Sequence, residues 1–547
     1  MTSRARDLAS TGDDHLPNKR QKTKGNPLGL LDLPPEIIAA VTVHCSTQTS
    51  TLFSSVCRTL RTILFPVIFA HLEIRNAAWI TVFNTVFDAS SPLFSAVRHL
   101  CAIPHSTGNA QCDISATLNF IRELGSILRK IPDDRLQSIR LGSLWDNKPT
   151  EYGHSPVGVW LTLNTPMAHW NQSGASPDRQ FLQHMWQTHV SSALEKQGKL
   201  EHLEFEEKYD SGGRSGGFDV TALDPSPILG WFSQSSLKTT IRHLHITVTG
   251  PLIPILCKAL HGMDALDHLD ITVSDERFTQ LPLSSTHNHL RLLFFDFLAG
   301  PKEGDESQLI PSIRSFTNRH TLLEGVQIHG VSMNALLECL FLEEAVTLPR
   351  LTRIKHGWYA LPLDPNPPGL ASSTYTPQPS VQMFDLVVEY DSSPTALEFQ
   401  VFSSCLTKIL PGINSLNIQV CVTGVGPELR TMLGTISVPS TLRTLCVHEE
   451  NNASNEAIRL DVLSYLHALS DISSPLCTMG LVYRTYNSPT WAEVAFKGCL
   501  LPDHSAITLT FVACGKTYQV VWGHPGHDYS VLERDAAEHK GPTWTNF

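Results

Sequence analysis

Ile241-Arg242-His243-Leu244-His245-Ile246, Leu266-Asp267-His268-Leu269-Asp270-Ile271 and Leu290-Arg291-Leu292-Leu293-Phe294-Phe295 share one order of residue types. Each reads apolar, two residues, apolar, one residue, apolar. The last two apolar positions alternate across a single residue, which is the period of a strand with one buried face. The three segments follow one another at steps of about 25 residues. Between the first two lies the apolar stretch Leu252-Ile253-Pro254-Ile255-Leu256-Cys257-Lys258-Ala259-Leu260, which reads as a helix. A strand, a helix and a strand make a unit that must stack on neighbours to bury its faces.

Working outward, the same pattern recurs at Leu136-Ile139-Leu141, Leu200-Leu203-Phe205, Leu323-Val326-Ile328, Ile413-Leu416-Ile418 and Leu442-Leu445-Val447. Residues 142–180 and 356–382 are rich in Pro, Gly, Ser, Thr and Trp without a period, so long loops are expected there. Ile507 to Trp522 alternates around Cys514-Gly515-Lys516 and predicts a hairpin that closes the array. These segments resemble a degenerate leucine-rich repeat. The resemblance implies an irregular leucine-rich-repeat-like α/β solenoid over residues 73–547.

Upstream, Leu31-Asp32-Leu33-Pro34-Pro35-Glu36-Ile37-Ile38 opens a helix, with proline in the first turn and Glu36 at the positive end of the dipole. Ile37, Ile38, Val41 and Cys45 form its apolar stripe. Ser46-Thr47-Gln48-Thr49 supplies turn and N-cap chemistry. A second helix carries Leu52, Phe53, Val56, Cys57, Leu60, Ile63 and Leu64, with Pro66 limiting its far end. An all-α antiparallel pair is expected, too small to be stable without a neighbour.

Leu33-Pro34-Pro35-Glu36-Ile37-Ile38 followed by Val56-Cys57-Arg58-Thr59-Leu60-Arg61 resembles the F-box motif, and Leu64 to Ile74 looks like the strand entry of fungal F-box proteins. The resemblance covers residues 28 to about 75, giving an F-box-like domain at 28–72. It implies a substrate receptor of a Skp-cullin-RING ubiquitin ligase. Leu33, Pro34, Ile37, Ile38, Val56 and Leu60 would grip a Skp-type adaptor and through it a cullin, while the solenoid selects a protein target. The alternatives are a hairpin that caps the repeat array, and a repeat scaffold with no ligase role. Among the polar strand positions, Arg242, His243, His245, Asp267, His268 and Asp270 are candidates to line the target face.

The remaining features bound the function. The chain has 547 residues, 41% of them hydrophobic and 17% charged, enough apolar material for extended order. A formal net charge of −11 argues against a nucleic-acid partner. Residues 1–27 are polar, contain the basic cluster Asn18 to Lys24 and read as a disordered tail; the cluster is compatible with nuclear import. No apolar leader and no run of the roughly 20 apolar residues of a membrane span is seen, so cytosol or nucleus is expected. None of the 12 cysteines forms a C-x-x-C pair.

Catalytic patterns are equally sparse. Gly213-Arg214-Ser215-Gly216-Gly217 has the spelling of a nucleophile elbow but lacks a strand before it and a helix after it, so Ser215 is expected to be no nucleophile. The 25 histidines include no H-E-x-x-H; His184 and His189 lie five apart, and His243 with His245 lacks a third ligand. The sequence therefore reads as a non-enzymatic adaptor without cofactor or metal.

Overall fold

The computed structural model describes residues 33–45, 47–74, 77–103, 114–142, 177–207, 227–248, 252–273, 284–297, 306–331, 333–341, 346–359, 376–389, 408–420, 441, 444–450, 478–484, 494–498, 507–513, 516–522 and 529–535. The tail at 1–27, the glycine-rich segment with Ser215 and most of the expected loop at 142–180 lie outside them. The chain divides into two units, Met1–Ala70 and His71–Phe547. No described helix is long and apolar enough to cross a membrane.

Among its described residues the first unit has three helices where two were expected: α1 (Pro35–Val43), α2 (Thr47–Val56) and α3 (Arg58–Ile68). Pro35 takes the first helical position, where its missing N–H matters least, and Pro34 O accepts from Ile37 N and Ile38 N at 3.0 and 3.2 Å. The single long second helix expected from the apolar stripe is interrupted at Cys57, whose backbone is extended at φ −154°. Its Sγ accepts from Leu60 N at 3.5 Å and so caps α3. Thr47, Gln48 and Thr49 begin α2 instead of forming a turn. Pro66 lies inside α3, which runs two residues beyond it to Ile68.

Ile38, Leu60 and Leu64 make the core of this unit, with Leu33, Cys57, Ile63 and Ile68 packed against it. Thr42 shares the inward face of α1, donating to Ile38 O at 2.5 Å, and Ser50 of α2 donates to Thr42 O at 3.4 Å.

The second unit is mixed α/β. Its strands are β1 (His71–Ile74), β2 (His99–Ala102), β3 (Ser138–Leu141), β4 (His202–Glu207), β5 (His243–Val248), β6 (His268–Val273), β7 (Leu292–Phe297), β8 (Gly325–Val331), β9 (Arg353–Tyr359), β10 (Met383–Glu389), β11 (Ser415–Val420), β12 (Thr444–Glu450) and β13 (Thr478–Arg484). Each pairs in parallel with the next in sequence, from β1 through β13. Parallel neighbours demand crossover connections, and helices provide several. These are α4 (Ala77–Val86) and α5 (Pro92–Ala96) before β2, α6 (Ile114–Lys130) before β3, and α7 (Pro177–Trp186) before β4. Then follow α8 (Pro227–Gln234), α9 (Ile253–Leu260), α10 (Glu306–Arg319) and α11 (Met333–Phe341). The order is compatible with an α/β solenoid.

The last two apolar positions of all eight patterns fall on strands. Their inward residues, such as Leu244, Ile246 and Val248, or Leu293, Phe295 and Phe297, are buried, and the intervening residues are half-buried. The helix side of the core includes Phe120, Ile121, Leu124, Ile127 and Leu128 of α6, one face of a helix. Gly125 lets α6 approach the His189 backbone, where a Cβ would overlap the carbonyl. His189 lies in a π-helical segment, Gln187–Ser191, that continues α7 beyond His184.

A second recurrence precedes several of the strands. Leu200 N, Leu266 N, Leu290 N, Leu323 N and Leu351 N donate to the carbonyls of Gln197, Met263, His287, His320 and Leu348, closing a tight turn. The next residue crosses to the preceding unit: Arg242 N to Glu201 O, Asp267 N to Arg242 O, Arg291 N to Asp267 O and Glu324 N to Arg291 O, each at 2.8 Å. Where the turn residue is polar, its side chain satisfies the backbone of the preceding turn. Gln197 Oε1 accepts from Arg135 N and Leu136 N, Gln378 Oε1 accepts from Leu348 N, and His320 Nε2 accepts from His287 N.

The loop expected at 356–382 begins inside β9, which runs to Tyr359, and the turn leading into β10 occupies its far end. His356 stands where the pattern wants an apolar residue. It is accepted there because Nδ1–H donates to Ile328 O at 2.8 Å, and burial pushes its pKa down to about 4, keeping the ring neutral.

Beyond β13 the sheet turns antiparallel through β14 (Val494–Gly498), β15 (Ile507–Ala513), β16 (Lys516–Trp522) and β17 (Tyr529–Asp535). Ile507 to Ala513 pairs with Trp522 to Lys516, so the expected hairpin is one step of a longer meander.

Candidate partner-binding surfaces

In the first unit the six residues singled out for adaptor contact separate into two groups. Ile38 and Leu60 are 3% and 4% exposed and belong to the unit's own core, with Leu33 packed against it. A side chain so buried cannot touch a partner while the unit stays folded. Ile37 and Val56 are 49% and 71% exposed, and Pro34 is exposed at the N-cap. They have apolar company that the sequence reading did not assign to contact: Val41 and Val43 on α1, and Leu52 and Phe53 on α2. Ile37 with Val41, and Leu52 with Val56, are four apart and so share a helical face.

In the second unit the strand face opposite the helix-packed side carries a column of histidines. In register lie His71, His99, Ser138, His202, His243 and His268, one from each of β1 to β6. The rings of His71 and His99 stack with centroids 4.3 Å apart, and those of His202 and His243 at 4.0 Å. His268 tilts against His243 at 5.5 Å, and its other side meets the edge of Phe294. Parallel strands set neighbouring side chains about 4.8 Å apart, so stacked imidazoles follow from the register.

Two residues further along runs a second column: Glu73, Cys101, Arg140, Glu204, His245 and Asp270. Arg140 Nε meets Glu204 Oε1 at 3.0 Å, and His245 Nδ1 meets Asp270 Oδ2 at 2.6 Å. Of the six face candidates, His243 with His268 and His245 with Asp270 are thus brought together in two columns. Arg242 and Asp267 sit one residue before the strands, joined by backbone and followed by Arg291 and Glu324, whose side chains pair at 2.7 Å.

The histidines divide by environment. Burial holds His99, His243 and His268 below the usual histidine range, and neighbouring histidines add to the effect. Burial also opposes protonation of His245, but the hydrogen bond and charge of Asp270 outweigh it and raise the pKa. Inside the core, burial lowers His287 and pushes His320 to about 4 and His329 to about 3. The His320 value fits its bonding: Nδ1–H donates to Phe316 O at 2.7 Å while Nε2 accepts from His287 N, an arrangement only a neutral ring can make.

A pH dependence follows. Groups with depressed folded-state pKa contribute stability that is complete above about 6.5 and is lost as pH falls toward about 4. His245 works the opposite way, its contribution lost as pH rises through its raised pKa. Since lowered histidines outnumber it, urea denaturation midpoints are expected to fall steadily from pH 7.5 to pH 5. A flat profile would contradict this account of the buried rings.

Among the described residues no group of three or more His, Cys, Asp or Glu could hold a metal ion. No protein-family model matches the chain, and no curated protein matches it.

Proposed function

We propose that the chain is a non-enzymatic adaptor whose first unit is an F-box-like module for a Skp-type protein and whose second unit is a leucine-rich-repeat-like solenoid that selects a protein target. In this reading the Skp-type protein links the chain to a cullin-RING ubiquitin ligase in the cytosol or nucleus, and the target is marked for degradation. The observation that carries it is the apolar surface of α1 and α2. Ile37, Val41, Leu52 and Val56 are exposed while the unit's own core uses other positions. Exposed apolar side chains at helical spacing on each of two short helices favour a contact role, and burying each on a partner is worth about 1.5–3 kcal/mol.

The division of labour is supported by size. A three-helix unit offers one partner-sized surface, whereas the sheet of the second unit offers a broad open face. The reading is tested by replacing residues 1–75 with an unrelated F-box. Proximity labelling of the hybrid should recover the adaptor and the same other partners as the natural chain. A partner set that follows residues 1–75 would contradict the assignment. Failure of the natural chain to co-purify with a Skp-type adaptor would leave a repeat scaffold without a ligase role.

A further inference from the structure

The histidine column is broken once, at Ser138. His71 and His99 form one stack on β1 and β2, and His202 and His243 another on β4 and β5. The free faces of His99 and His202 therefore look toward each other across β3, where the side chain is a serine. Ser138 Oγ lies 2.8 Å from His99 Nδ1 and forms the floor of the gap. Two strand spacings separate the facing rings by roughly 9–10 Å, room for one planar group in contact with both.

The rim is acidic. Glu201, exposed, immediately precedes His202, and Glu204 lies two residues beyond it on the same face, its side chain 35% exposed beside Arg140. A carboxylate has about four lone-pair sites, so Glu204 accepts a second cation's N–H while keeping Arg140. Burial lowers the His99 pKa, with His71 and His202 contributing, so this wall of the slot is neutral at pH 7 and does not repel a cation.

We propose that this slot takes the guanidinium of an arginine side chain from the target protein. The group is planar, stacks on aromatic faces and presents N–H donors in its plane. Those donors would meet Glu201, Glu204 and Ser138 Oγ. A lysine ammonium would pair with the carboxylates but has no face to stack; a neutral aromatic ring would stack but leave the carboxylates unanswered.

The inference rests on reading the open sheet face as the target surface, yet the two fail separately. The test is NMR of 13C-labelled histidine in the full chain at pH 7.5, titrated with acetyl-arginine methylamide and, in parallel, with the lysine and tyrosine analogues. The His99 and His202 ring signals should shift saturably with the arginine probe alone. Ser138→His, which continues the column, should abolish the response while leaving the His268 signal in place. Should that variant fold poorly, Glu201→Gln with Glu204→Gln keeps the walls and should weaken binding several-fold. Silence at His99 and His202, an equal response to lysine, or a stronger one to tyrosine would overturn the slot. A silent titration in a chain whose partner set still follows residues 76–547 would overturn the slot alone.

Discussion

Gln197→Leu is expected to open the turn at 132–136, raising the exchange of the Arg135 and Leu136 amides by about a hundredfold or more. Gln197 is completely buried, and its side chain does work that no apolar residue can. Oε1 accepts from Arg135 N at 3.0 Å and Leu136 N at 2.9 Å, and Nε2 donates to Pro132 O at 3.2 Å. Leucine fills similar space but leaves these backbone groups without a partner, each at a cost of about 1–3 kcal/mol. About 3 kcal/mol corresponds to roughly a hundredfold in a local opening equilibrium. In an array where each unit touches its neighbours, the loss should stay near β3 and β4. Hydrogen exchange read by mass spectrometry would show it in peptides covering 132–141 and not in those covering β7 and β8. Unchanged protection at 132–141 would refute the role given to Gln197.

A comparable effect is expected in the first unit, and it separates two residues that the sequence places together. Leu60→Ala should cost about 2–5 kcal/mol, because it removes one of three fully buried apolar side chains. A core this small has nothing to spare, and α1 to α3 should lose protection together. Val56→Ala removes a side chain that is 71% exposed, in a helix where alanine is the better former, so the change should lie within about 0.5 kcal/mol of neutral. Equal behaviour of the two variants in exchange across residues 47–64 would contradict the described packing.

The strands were legible because their physical signal is strong: an apolar residue on every second position facing helices. Even so, six strands hid: β2, β9, β10, β13, β14 and β17. β9 was masked by His356 in an apolar position, β10 by the Pro- and Ser-rich stretch before Val381-Phe384-Leu386, and β2 by the small Ala102 closing Val97-Leu100-Ala102. The break at Cys57 was illegible because the apolar spacing runs straight through it; only backbone geometry separates α2 from α3. The same spacing groups Ile37 with Ile38, and Val56 with Leu60. Which of each pair faces inward depends on how three helices pack, which periodicity within one helix does not encode.

The histidine column had a signal that went unread. His-Leu recurs as His71-Leu72, His99-Leu100, His202-Leu203, His243-Leu244 and His268-Leu269, each at the start of a strand. Aligned on the leucine, these pairs put five imidazoles in one register. The turn residues Gln197, His287, His320 and Gln378 were less visible, since glutamine and histidine are ordinarily surface residues. Their burial makes sense only once the backbone of the preceding turn is in place.

The central claim, that the first unit presents α1 and α2 to a Skp-type adaptor, is tested most directly by affinity capture of a purified adaptor on the full chain and on Ile37→Asp. The aspartate sits at an exposed position, so the unit stays folded, and it places a charge in a contact that must shed water, at a cost of several kcal/mol. The account predicts that the natural chain retains the adaptor and that Ile37→Asp loses it by at least about a hundredfold in affinity, with exchange across 35–68 unchanged. Equal retention by both chains would contradict it.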